Sequence, residues 1–143
     1  MLTKFKEILN RNDQINFLKS LIIIAHADGV VDKNENVIID QYMGVLNLNE
    51  FEKKEISESL ENPPLIEEVI NQFIDNRAKL LLLMEAYNIA YIDNDFSFFE
   101  KKTIDKIIKN LNIPIEKAKE IEKWVKKKVK LRKQGLEIIG LKE

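Results

Sequence analysis

The chain contains no cysteine, one histidine, one tryptophan, three prolines and four glycines. The missing cysteine removes disulfides, thiolate metal sites and thiol nucleophiles together, and suits a reducing compartment. With a single histidine and no thiol, no nucleophile–base pair can be assembled. Four scattered glycines make no phosphate-cradling loop, so hydrolase and kinase-like chemistry lack a site. Long apolar runs are also absent: Leu21 to Ala25 and Leu80 to Met84 are the longest, far below the roughly 20 residues of a membrane span. The first residues, Met1 to Glu7, alternate charge with apolar side chains and do not resemble a signal peptide. These absences place the protein in the cytoplasm and predict no enzymatic activity.

What is present is a helical composition. Of 143 residues, 45% are hydrophobic and 33% charged, which fits one soluble all-α domain over 1–143 with a core of its own. The net charge of −1 hides a division. Residues 28–75 hold twelve acids against three lysines, a net of −9, whereas residues 101–143 hold fourteen bases against six acids, a net of +8.

The chain also repeats itself. Ile24 to Glu35 (IAHADGVVDKNE) returns 65 residues later as Ile89 to Glu100 (IAYIDNDFSFFE). The same offset pairs Leu18 with Leu83, Ile39 with Ile104, Asp40 with Asp105, Leu46 with Leu111, Asn47 with Asn112 and Ile56 with Ile121. Between positions 18 and 56, twelve of thirty-nine pairs are identical without a gap, the mark of an internal duplication. The expected fold is a bundle of seven to nine helices in two pseudo-twofold-related halves, about 13–62 and 76–127.

Periodicity and capping chemistry locate the helices. Leu2, Phe5, Ile8 and Leu9 predict a short helix over the first ten residues. Helices from about Asp13 to Asp28 and from Asp75 or Asn76 to Ile92 are apolar nearly all round and belong at the centre. Gly29, and Asn94 in its place, end them; Asp32 with Glu35, and Ser97 with Glu100, open the helices that follow. Asn49 caps a helix to about Leu60, and Leu65 to Phe73 form a short one after Pro63-Pro64. Pro114 starts a long last helix whose inward stripe is Ile115, Ala118, Ile121, Val125 and Val129, with Lys119, Lys123, Lys126, Lys127, Lys130 and Lys133 facing out and Gly135 ending it.

The segment Ala27-Asp28-Gly29-Val30-Val31-Asp32-Lys33-Asn34-Glu35, with its degenerate second copy ending at Glu100, resembles the TerB-like tellurite-resistance family. The resemblance covers most of residues 13–130. It implies an all-helical fold of two related halves, a bacterial stress-response setting, and binding of a divalent cation by Asp28, Asp32 and Glu35. The second copy departs at Asn94 and Ser97, leaving Asp93, Asp95 and Glu100 as its oxygen donors.

Hard cations such as Ca²⁺ or Mg²⁺ need oxygen ligands. Residues 28–35 match the second half of an EF-hand loop, but Ile24 stands at an earlier ligand position, which excludes a complete one. If the two turns meet, Asp28, Glu35, Asp93 and Glu100 can share one ion. Capping accounts for the same residues without metal, and the helix dipole opposes a cation there. His26 reads as a packed histidine or as a ligand beside Asp28.

Lys123 to Lys133 contains seven basic residues and no acid, with Trp124 and Leu131 among them. This is a solvated face, a grip for nucleic acid or anionic lipid, or a surface that pairs with the acidic half of a partner or of another copy. The leading expectation is a small accessory protein of metal or oxyanion stress that binds a divalent cation and acts through protein contacts. The alternative is a metal-free interaction module using its acidic and basic faces, with nucleic-acid or membrane-surface binding the least favoured.

Overall fold

The computed structural model describes residues 6–27, 33–71, 75–92 and 98–141, with side chains at all of them except 33–36 and 98–99. The architecture is all-α, with no strand among the described residues. After a helical turn at residues 6–8 come α1 (Arg11–Ala25), α2 (Lys33–Leu46), α3 (Glu50–Glu61), α4 (Ile66–Ile70), α5 (Asn76–Tyr91), α6 (Phe98–Asn110) and α7 (Ile115–Ile138). Helices beginning at residues 11, 33 and 50 recur at residues 76, 98 and 115, so the 65-residue offset of the sequence is also the offset of the helices.

Their ends agree as well. Asn47 and Asn112 are the non-glycine residues with positive φ among those described, at 50° and 53°. Asparagine tolerates this left-handed conformation better than other side chains, and each terminates its helix. Behind Asn112 the Ile113 N–H donates to the Ile108 carbonyl and the Asn112 N–H to that of Lys109, closing α6 with paired reverse bonds.

α1 and α5 form the centre. α1 packs on α2 and α3 as α5 packs on α6 and α7; α1 and α5 pack on each other, and the crossed pairs α1–α6 and α2–α5 are both made. This set is unchanged when the halves are exchanged. The short α4 breaks the symmetry by packing on α1 and α6. The core is built from Phe17, Leu18, Leu21, Ile22 and Ile24 of α1 against Leu82, Leu83, Ala86 and Ile89 of α5, so burial on nearly every side gives these helices their continuous apolar composition.

Capping follows the expected chemistry at two starts. Asn49 and Glu52 exchange side-chain and backbone bonds at α3, and Asp75 accepts from the Arg77 and Ala78 N–H groups at α5. Four expectations are corrected. α1 begins at Arg11, because Asn10 rather than Asp13 supplies the cap. The short helix after the prolines starts at Ile66 and ends at Ile70. α7 runs through Gly135 to Ile138, and Gly140, at φ 78°, makes the left-handed turn; an interior glycine costs only about 1 kcal/mol, which a long helix tolerates. Ile115 is 68% exposed, since it lies on the far side of Ala118 from Ile121, roughly 120° round the helix from Ile121. The predicted stops and caps at Gly29, Asp32, Asn94 and Ser97 lie outside the described residues.

Candidate functional site

Of the six acids predicted to hold a cation, Asp28, Asp32, Asp93 and Asp95 lie outside the described residues, as does the Glu35 side chain in the first turn of α2. Glu100, in the first turn of α6, is 3% exposed. His26 caps the end of α1, half-buried, with Nδ1 2.8 Å from the Ile22 carbonyl. Among the described residues no three or more His, Asp or Glu side chains are grouped to hold a metal ion.

α7 is polarised around its circumference. Ala118, Ile121, Val125 and Val129 are buried against the bundle, and Lys123, Lys126, Lys127 and Lys130 are exposed. Lys133 departs from the expected outward face. It lies one turn beyond Val129, and its ammonium is shielded from solvent with no hydrogen-bond partner among the described residues. It lines a cleft of about 490 Å³ with Tyr91, Lys126 and Glu137. There the Tyr91 hydroxyl donates to Glu122 Oε1 at 2.8 Å, and Lys126 Nζ lies 3.3 Å from the same oxygen and 5.2 Å from the Tyr91 ring centre. Burial works against the charge on Glu122, but bonds from Tyr91, Tyr87 and Lys126 outweigh it and hold the carboxyl below its usual range.

Away from the bundle, Trp124, Leu131 and Ile138 recur every seventh residue along α7 and are 43%, 66% and 84% exposed. A seven-residue period keeps apolar side chains on one line of a helix. Lys123, Lys127, Lys128 and Lys130 flank that line. Among the described residues the first half has no such feature: α3 ends at Glu61, the counterpart of Lys126, so the last turns of α7 extend past the counterpart of α3. Among the described residues no helix is long and apolar enough to cross a membrane.

One feature escaped the sequence reading. Glu85, the only acid in α5, is 4% exposed. It lies at a cavity of about 400 Å³ lined also by Ile38, Gln41, Tyr42, Asn88, Trp124 and Lys128. Burial pushes the Glu85 carboxyl above its usual range, while Lys128, Tyr42 and Asn88 pull it partly back. Burial, and then the facing Glu85, push the Tyr42 hydroxyl far up. The signal was available: a lone acid in a helix apolar nearly all round has no solvent face to occupy.

No curated protein and no solved structure matches the chain. A family model does, described as a protein of unknown function, DUF533, over residues 5–125. That span takes in α1 to α6 and the first turns of α7, and stops at Val125, before Leu131 and Ile138. The chain belongs to the DUF533 family.

Proposed function

We propose that the protein is a non-enzymatic cytoplasmic accessory protein that works by contact, its basic last helix docking an acidic amphipathic helix of a partner protein. The observation that carries this reading is the Trp124–Leu131–Ile138 line, exposed and set among lysines, with Leu131 and Ile138 on the turns of α7 that extend past the counterpart of α3. The line spans fifteen residues, a rise of about 21 Å along the helix, and one apolar residue per two turns suits a helix–helix seam better than the broad apolar face a membrane surface requires. The flanking lysines fix the chemistry of the occupant: a helix carrying glutamates beside its apolar seam gains on approach. A second copy of α7 sets lysine against lysine and is opposed. The chain's own acidic helix α3 is a poor match, because its exposed Phe51 and Leu60 are nine residues apart and project from opposite sides.

The test is a fluorescence-anisotropy titration with a synthetic peptide bearing leucines on a seven-residue seam and glutamates beside it. Saturable binding that weakens with salt supports the proposal. Binding of anionic vesicles, duplex DNA or a second copy in place of the peptide overturns it.

A second reading keeps the cation and the TerB-like stress setting. It is supported by the repeated acidic turns and by the burial of Glu100, since a carboxylate already withdrawn from water suits a hard cation better than a solvated one. The ligands in this reading are Asp28, Asp32, Glu35, Asp93, Asp95 and Glu100, and the ion is Ca²⁺ or Mg²⁺.

A further inference from the structure

The cavity over Glu85 joins three things: a carboxyl almost wholly withdrawn from solvent, a half-exposed indole at the rim, and a lysine beside it. No ion pair within 4 Å joins Glu85 to a cation among the described residues. Lys128 and, after it, the chain's N-terminal ammonium draw its carboxyl back toward the charged form. The Lys128 side chain is solvent-exposed, and its ammonium stands 5.7 Å from the Trp124 ring centre. The mouth of the cavity therefore already holds an ammonium against an aromatic face, with a carboxyl and the Tyr42 and Asn88 polar groups behind it.

We propose that this cavity binds a small organic ammonium, a primary or methylated amine that takes the place Lys128 occupies over Trp124 and reaches toward Glu85. The energetics favour the exchange. Lys128 on its flexible stem returns to bulk water at little cost, whereas a free ammonium gains the ring face and comes closer to the buried carboxyl than the tethered one does. About 400 Å³ is within the range of small-molecule pockets. Carboxylate or phosphate ligands are disfavoured by Glu85 itself. A divalent metal ion would find a single carboxylate where it needs several oxygen donors.

Trp124 is the only tryptophan in the chain and reports on its own site. Its emission is followed while tetramethylammonium or propylammonium chloride is added, with sodium chloride and sodium propionate as controls. The expected result is a saturable change with the ammonium salts alone. Glu85→Gln weakens it by about tenfold, the order of one lost charge-assisted contact, with far-UV circular dichroism unchanged. Lys128→Ala, on the surface, tightens it by removing the resident competitor. The proposal is overturned if neither ammonium gives saturation, if propionate binds in their place, if Glu85→Gln responds like the wild type, or if Lys128→Ala weakens binding.

Discussion

Ser20 and Glu85 hold the same place in the two halves, 65 residues apart on the central helices α1 and α5, and both are buried. Ser20 is satisfied locally, its hydroxyl donating to the Asn16 carbonyl at 2.8 Å. Glu85 is longer and charged, reaches beyond its helix, and lines a cavity with Tyr42, Asn88 and Lys128. A duplicated scaffold has thus kept a buried polar position in both copies and made only one of them chemically demanding.

The pH dependence of stability should carry the mark of Glu85. Its folded-state carboxyl lies above the ordinary glutamate value of about 4.5, so the folded protein binds more protons than the unfolded chain. Its contribution is full below about that pH and is lost as pH rises through the raised folded value. Glu52, Asp75 and Glu122 are shifted the other way and favour the fold as pH rises. The difference between wild type and Glu85→Gln isolates the one residue: in urea melts, the variant should gain on the wild type from pH 5 to pH 8. A constant difference would remove the buried charge from the account.

The paired left-handed asparagines predict a matched response. Replacing Asn47 or Asn112 by Ala forces a Cβ residue with no polar side chain into positive φ, and each should lower stability by about 1 kcal/mol. Replacement by Gly should be near neutral or slightly stabilising. Thermal melts of the four variants check this, and opposite behaviour at the two positions would speak against equivalent helix ends.

The centre of the bundle should be intolerant. Leu18 and Leu83 are equivalent and fully buried, so Leu→Ala at either should cost 2–5 kcal/mol, the usual range for a buried leucine. Denaturant midpoints with an unchanged slope are the readout.

Calorimetry with Ca²⁺ and Mg²⁺ separates the cation reading from capping alone. Saturable heat in the wild type, lost in Asp28→Asn/Glu35→Gln, is its expected result. Absence of heat at millimolar metal would leave Glu35 and Glu100 as helix-opening acids only.

The sequence was most legible where local chemistry and repetition agree. The 65-residue offset, the Asn49 and Asp75 caps and the apolar central helices are all set by residues close to one another or by burial on every side. It was least legible where position around a helix decides. Ile115 lies off the buried stripe of α7, Gly135 is carried through by the helix on either side of it, and Lys133 turns into a cleft although its neighbours face water. Glu85 needed the tertiary context of Tyr42 from α2 and Trp124 and Lys128 from α7 before it became a site. The exposed seam is a similar case: its seven-residue spacing is in the sequence, but only the packing of Val125 and Val129 reveals which line of α7 stays uncovered.

The most direct measurement is an amide chemical-shift map of the protein titrated with the acidic seam peptide. Shifts confined to α7 around Trp124, Leu131 and Ile138, including the Trp124 indole N–H, and abolished in Trp124→Ser/Leu131→Ser/Ile138→Ser, are the predicted result. Shifts centred on the acidic helix α3, or none at saturating peptide, would contradict it.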